Sequence, residues 1–329
     1  MSITAAAWFI AGLGLLVVGA ELVVRGASRL ALSLGVRPLV LGLTVVAVGT
    51  SAPELAVGIT ASLQGSGALA VGNIAGTNAF NILFIMGLSA LLRPLPLHLQ
   101  ILKLELPVTI LAVALMTALA WDGILTRVDG GIMFALAVLY TMALIRLSRR
   151  ETRAVKEEFA EVCSDDTAAA AKGSHLAVRL RSSLLLVAGL VCSVVGAHWL
   201  VDGAVSIARG LGISEAVIGL TIVAMGTSAP ELVTTIIATL RNERDVAVGN
   251  LIGSSIYNIL VILGLTCVVS PAGVPVERQL LLVDIPLMAA VMLACVPVFV
   301  TGRRVSRLEG GLFVATHVIY MGWLLVGRS

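Results

Sequence analysis

Residues 42–55 read GLTVVAVGTSAPEL, and residues 219–232 read GLTIVAMGTSAPEL. Twelve of these fourteen positions are identical, at a constant offset of 177. The offset persists downstream, where AVGNIAGTNAFNIL (70–83) aligns with AVGNLIGSSIYNIL (247–260). It also holds upstream, where GAELVVRGA (19–27) aligns with GAHWLVDGA (196–204). The chain is a tandem duplication, and the two copies must carry the same elements.

Composition names the solvent. Of 329 residues, 58% are hydrophobic and only 12% are charged. A soluble domain carries about 25% charged residues, so the excess apolar surface requires lipid. A helix crosses the hydrocarbon in about 20 residues, and ten runs qualify: 4–24, 36–62, 69–91, 100–120, 128–147, 181–201, 213–240, 246–270, 279–300 and 309–327. Backbone polar groups in lipid must be satisfied internally, so these are helices. The first run lacks a preceding basic segment, which makes it a span rather than a cleaved leader. The expected fold is all-α and integral to the membrane. Residues 1–148 and 181–329 each form a five-helix repeat, joined by a linker over 149–180. An odd number of spans inverts the second repeat relative to the first. Inverted repeats with interrupted helices at matching positions point to a secondary transporter with a site near the midplane.

Charge sets the orientation. Loops after odd-numbered spans hold 18 of the 22 basic residues, among them Arg25, Arg29, Arg37, Arg93 and Arg146. The positive-inside rule makes those loops and the 149–180 linker cytoplasmic, with both termini outside a cell (inner or plasma) membrane. The net charge of +3 gives no support to nucleic-acid binding. The expected partners are inorganic cations and the bilayer, with no obligate protein partner and no cofactor. Cys163, Cys192, Cys267 and Cys295 form no CxxC pair and read as small hydrophobes.

Within the spans, only Glu54 and Glu231 are deep ionisable residues, and no basic residue lies deep enough to pair with them. An ionisable residue there costs about 2.5–3.5 kcal/mol or more, which makes each a functional candidate. Pro53 and Pro230 lack the amide that would bond the carbonyls of Gly49 and Gly226, so both spans should break there. Thr50, Ser51, Thr227 and Ser228 add hydroxyls at the breaks. Asn73, Thr77 and Asn81 share one helical face by their spacing of four, as do Asn250, Ser254 and Asn258. For Asn73 and Asn250, hydrogen bonding between helices is a competing role. Gly72, Gly76, Gly249 and Gly253 allow close helix approach.

The donor set is entirely oxygen, which suits hard cations and disfavours zinc or copper. Two carboxylates neutralise one divalent ion, or hold monovalent ions or protons instead. Mutually exclusive occupancy is the physical basis of exchange. A Ca²⁺/H⁺ antiporter of the same fold is the alternative, and a cation channel a more remote one. The chain does not read as an enzyme: Ser51 and Ser228 have no histidine in an equivalent position of either repeat, and His98, His175, His198 and His317 are scattered.

The stretches GTSAPE (49–54 and 226–231), GNIAGTN (72–78) and GNLIGSS (249–255) resemble the two alpha-repeats of the sodium/calcium exchanger (calcium:cation antiporter) superfamily. The likeness is greatest to compact prokaryotic calcium/sodium antiporters, with alpha-1 over 42–83 and alpha-2 over 219–260. It implies that Glu54 and Glu231 bind Ca²⁺, helped by Thr50, Ser51, Thr77 and Asn81 in one repeat and Thr227, Ser228, Ser254 and Asn258 in the other. It further implies exchange for Na⁺ by alternating access, with the first and sixth spans sliding past the rest. Some members, including potassium-dependent ones, carry Asp where this chain has Asn258, which argues against a potassium requirement. The family's Gly-Ser-Asn stands here as Gly76-Thr77-Asn78 and Gly253-Ser254-Ser255, with the hydroxyl kept in both. His198 replaces the repeat partner of Glu21 and reads as interface packing in preference to a proton site. Glu105 and Asp284, each two residues before a proline, read as structural acids in the first turns of their spans.

Overall fold

A computed structural model describes residues 3–160, 172–213 and 218–327. The first repeat comprises α1 (Ile3–Leu34), α2 (Pro38–Thr50), α3 (Ala52–Leu63), α4 (Gly67–Leu92), α5 (Ile101–Leu119) and α6 (Arg127–Ala160). The second comprises α7 (Lys172–Gly210), α8 (Thr221–Thr227), α9 (Ala229–Leu240), α10 (Arg244–Val269), α11 (Leu280–Gly302) and α12 (Arg307–Gly327). Among the described residues seven helices are individually long and apolar enough to cross a membrane, and two bent pairs raise the number to nine. The bent pairs are α2–α3, at 42°, and α8–α9, at 57°. These are the two spans that the Gly and Pro content predicts to be broken. The segment expected as the tenth span is α12.

Several boundaries differ from the sequence expectation. Helix α1 continues to Leu34 instead of ending at 24, so Arg25 and Arg29 lie on a helix and not in a loop. Long basic side chains keep their heads in a polar layer while the backbone stays helical, and the helix ends only at Gly35, with φ of 67°. Of the linker expected at 149–180, residues 149–160 continue α6 and 172–180 belong to α7. Residues 161–171, with Cys163 and the alanine run, lie outside the described residues.

The repeat-related helices α1 and α7 pack along their lengths, and glycine determines how closely. Gly12, Gly19 and Gly26 recur every seven residues, and Gly189, Gly196 and Gly203 are their mates at the 177 offset. A Cβ on Gly12 would lie 2.4 Å from the Leu200 amide, and one on Gly19 would lie 2.6 Å from that of Ser193. A Cβ on Gly26 would lie 2.6 Å from the Leu186 amide, and Gly196 meets Leu16 equally closely. Partner numbers fall along α7 as they rise along α1, so the two helices are antiparallel. That is the inversion required by an odd number of spans. Lipid offers no hydrophobic drive for helix association, so backbone contact through small residues supplies the attraction.

Enclosure separates α4 and α10 from the other spans. Their most apolar stretches are 78% buried, against 28–39% in α1, α5, α6, α7 and α11. Helices α4 and α10 therefore form the centre, and the glycine-packed α1–α7 pair lies outside it. Two short ladders tie the repeats together. β1 (Leu95–Pro96) pairs with β4 (Arg304–Val305), and β2 (Ile124–Leu125) pairs with β3 (Val274–Pro275). Each strand thus pairs with the other repeat.

The outer pair's dependence on glycine is testable by thermal unfolding in detergent. Gly19→Ala and Gly196→Ala are each expected to destabilise by about 1–3 kcal/mol through overpacking against backbone. Gly14→Ala, on the same helix with nothing within 4 Å of its Cβ, should show no loss. Equal melting of all three would remove the stripe as a packing determinant.

Candidate cation site

Both breaks are built alike. Ser51 (φ −81°, ψ 12°) and Ser228 (φ −87°, ψ 9°) leave helical geometry, and the chain re-enters a helix with proline in the second position. Proline suits a first turn, where no intrahelical partner for its missing N–H is needed. Glu54 and Glu231 follow as third residues of α3 and α9. They therefore face the positive ends of these short helices, which favours negative charge.

The two halves then cross over. Ser51 Oγ donates to Glu231 Oε1 at 2.9 Å, and Ser228 Oγ donates to Glu54 Oε1 at 3.0 Å. Thr50 stands beside Glu231, and Thr227 beside Glu54. Thr77 Oγ1 lies 3.4 Å from Ser228 Oγ. The Ser–Glu and Thr–Glu contacts are related by the 177 offset, so each carboxylate is held by the other repeat's break. Both glutamates are fully buried, and among the described residues neither forms an ion pair.

The remaining oxygens lack partners. Glu54 Oε2, Glu231 Oε2, Asn258 Oδ1 and both amide atoms of Asn81 are buried without a hydrogen bond. A buried acceptor left unpaired costs about 1–3 kcal/mol, more when charged. A hard cation coordinated by carboxylate and amide oxygens would remove that cost. The stretches bearing these amides are also distorted. The backbone widens to an i→i+5 pattern over Phe80–Met86 and Asn258–Leu263, beginning at or beside Asn81 and Asn258. Such widened turns recur at functional sites. The first packs against α9, which carries Glu231, and the second against α3, which carries Glu54.

Other sequence-predicted residues play different parts. Asn250 bridges helices: its Oδ1 lies 3.1 Å from Thr50 Oγ1, and its Nδ2 donates to Thr235 Oγ1 at 3.1 Å. It therefore links α10 to α2 and α9. Its mate Asn73 is half-buried, and its Nδ2 has no partner. Ser254 Oγ donates to the backbone of Ala47 at 3.4 Å, and Thr227 Oγ1 donates to Ala224 O at 3.2 Å. Glu105 is held by Tyr140 Oη and by Gln100 Nε2, the latter at 3.0 Å. Side-chain donors, one of them from α6, therefore hold it, where a helix dipole alone was expected. His198 is exposed on α7 beside Asp202 at 3.3 Å and is not packed into an interface. Glu21 instead bonds Arg25 on its own helix and Arg241 at the end of α9. Asn78 and Thr235 escape sequence reading. Asn78 carried a signal, because it departs from its repeat mate Ser255.

The two approaches to the carboxylates are unequal. A Cβ on Gly249 would meet Leu39 O at 2.7 Å, and one on Gly253 would meet Leu43 O at 2.5 Å, so α10 is closed onto α2. Among the described residues, their mates Gly72 and Gly76 meet only a leucine methyl at 3.4 Å and nothing, respectively.

A family model described as sodium/calcium exchanger protein matches residues 4–146 and 181–326. The inner membrane protein YrbG of Escherichia coli is 38% identical over 275 residues, covering 82% of this chain and 81% of that one. The putative antiporter CaxA of Alkalimonas amylolytica is 35% identical over 323 residues, covering 97% and 98%. A solved structure of the sodium-calcium exchanger NCX_Mj, soaked with Na⁺ and Ca²⁺, superposes with a TM-score of 0.82 at 30% identity, covering 98% and 99% of the two chains.

The unequal roles of the repeat-related asparagines give a stability prediction. Asn250→Ala removes the donor to Thr235 and the tie to Thr50, whose hydroxyl keeps the Val46 carbonyl, and should destabilise by about 1–3 kcal/mol. Asn73→Ala should cost about 0.5 kcal/mol or less. Detergent unfolding of the two variants measures the difference, and equal losses would contradict the bridging role.

Proposed function

Because the chain belongs to the sodium/calcium exchanger family and is a cation antiporter, we propose that it exchanges Ca²⁺ for Na⁺ across a membrane by alternating access. The observation that carries this reading is the reciprocal pair Ser51–Glu231 and Ser228–Glu54, with the second oxygen of each carboxylate left free. Two carboxylates match the charge of one Ca²⁺, and the same oxygens hold Na⁺ in its place. Glu54, Glu231, Asn81 and Asn258 supply the side-chain oxygens. Thr50, Ser51, Thr77, Thr227, Ser228 and Ser254 supply hydroxyls or backbone carbonyls around them. Gly49, Pro53, Gly226 and Pro230 keep the breaks open.

Coupling follows from desolvation. Two unneutralised carboxylates inside the protein are costly, and neutralising cations lower that cost. An empty carrier therefore crosses poorly, and each cation moved one way obliges a return load. The glycine-packed α1–α7 pair is the unit we propose slides against the α4–α10 centre. The topology proposed is ten spans in two inverted repeats, 1–148 and 181–329, with both termini outside and the 149–180 segment cytoplasmic.

The test is ⁴⁵Ca²⁺ uptake into proteoliposomes loaded with Na⁺. Wild-type uptake should require internal Na⁺, and Glu54→Gln and Glu231→Gln should each abolish it while the protein still folds. Uptake driven by an acid interior and indifferent to Na⁺ would move the assignment to Ca²⁺/H⁺ exchange. Absence of uptake under either gradient would reject Ca²⁺ as the cargo.

A further inference from the structure

Asn81 and Asn258 occupy equivalent places in the repeats, yet their amides are not equally constrained. Asn258 Nδ2 donates to Asn78 Oδ1 at 3.1 Å. Asn78 Nδ2 in turn donates to Ser255 O at 3.2 Å and lies 3.6 Å from Met288 Sδ. The direction of this chain is fixed by chemistry. A backbone carbonyl only accepts, so Asn78 must turn its NH₂ toward Ser255. That leaves Asn78 Oδ1 facing Asn258, which must answer with its own NH₂. Asn258 Oδ1 then points away, buried and unpartnered. In the other half the residue equivalent to Asn78 is Ser255, whose hydroxyl is committed to Leu251 O at 3.0 Å. Asn81 accordingly has neither amide atom bonded.

We infer that Asn78 is a positioning residue that locks the Asn258 amide with its carbonyl oxygen toward the cation, while Asn81 stays free to turn. Asn78 is fully buried, and among the described residues its hydrogen-bonding contacts are Asn258, the Ser255 carbonyl and Met288 Sδ. The lock gives Asn258 one fixed neutral oxygen and prevents its NH₂ group from presenting positive hydrogen to a cation. It rests on the exchanger reading above, because it assigns the oxygen to that site's cargo.

The test is a double-variant cycle on the half-saturating Ca²⁺ concentration of Na⁺-driven ⁴⁵Ca²⁺ uptake, with Vmax read alongside. Asn78→Ser places at this position the residue that the second repeat already carries. It should raise the half-saturating concentration about tenfold, as loss of a partner behind a metal ligand typically does, with Vmax little changed. In an Asn258→Ala background the same substitution should add nothing, since no amide remains to orient. In an Asn81→Ala background the two effects should multiply. Multiplicative effects in both backgrounds would overturn the inference and leave Asn78 a general packing residue. Asn78→Leu, close to asparagine in shape, repeats the cycle, and loss of folding in both variants would likewise overturn a positioning role. Wild-type protein with no uptake would overturn the exchanger reading and this inference with it, whereas active wild type with additive cycles overturns the inference alone.

Discussion

A carboxylate buried in a membrane protein needs a counter-charge or donors, and here two such carboxylates are each supported by the opposite repeat. The serine at one break reaches the glutamate beyond the other break, in both directions. Neither break is complete without its partner, so the inverted duplication is a condition for the site and not only its evolutionary residue. The breaks themselves depend on proline. Pro53 and Pro230 remove an amide, let Ser51 and Ser228 leave helical geometry, and start a new helix whose first turn faces the acid. A continuous helix at either place would carry the serine hydroxyl and the carboxylate around its own axis and would lose the crossover.

The same duplication gives the molecule a buried centre and a glycine-packed pair outside it. Central helices α4 and α10 contact many neighbours through polar bridges such as Asn250, whose bonds reach α2 and α9. The outer helices meet each other through bare backbone at glycines spaced by seven. Interfaces of this kind are tight within the pair. The Glu21–Arg241 contact is a polar tie from α1 to α9, and its repeat equivalents, His198 and Gln64, form no such pair with each other. A pair packed this closely along its length would move as one body in the proposed cycle.

Much of this was legible in the residues because single substitutions carry large costs in lipid. Glu54, Glu231, Pro53 and Pro230 announce themselves for that reason, and the 177 offset fixes the inversion by counting spans. Helix ends were less legible. Hydropathy falls near residue 24, but nothing between there and Gly35 breaks a helix, so α1 runs on through Arg25 and Arg29. The glycine heptads stood in the sequence, yet their meaning needs an antiparallel partner, which spacing alone does not supply. The widened turns at Asn81 and Asn258 recur at repeat-related positions, yet nothing in the residue pattern announced them. Glu105 looked like a dipole acid because Tyr140, its donor, is 35 residues away in the chain.

Near-symmetry at the site would also have a cost, and one of the places where the structure breaks it is behind the amides. A strictly two-fold site would present two identical amides, both free or both locked. Two free amides would each have an NH₂ face available to the cargo's position, and a cation is repelled by that face. Two locked amides would fix both neutral oxygens in one geometry, although Ca²⁺ and Na⁺ differ in charge and in the number of oxygens they gather. With Asn78 on one side and Ser255 on the other, one oxygen is set in advance and one amide remains adjustable. In the proposed exchange, this departure from the repeat behind the ligands would let one set of atoms hold two different ions.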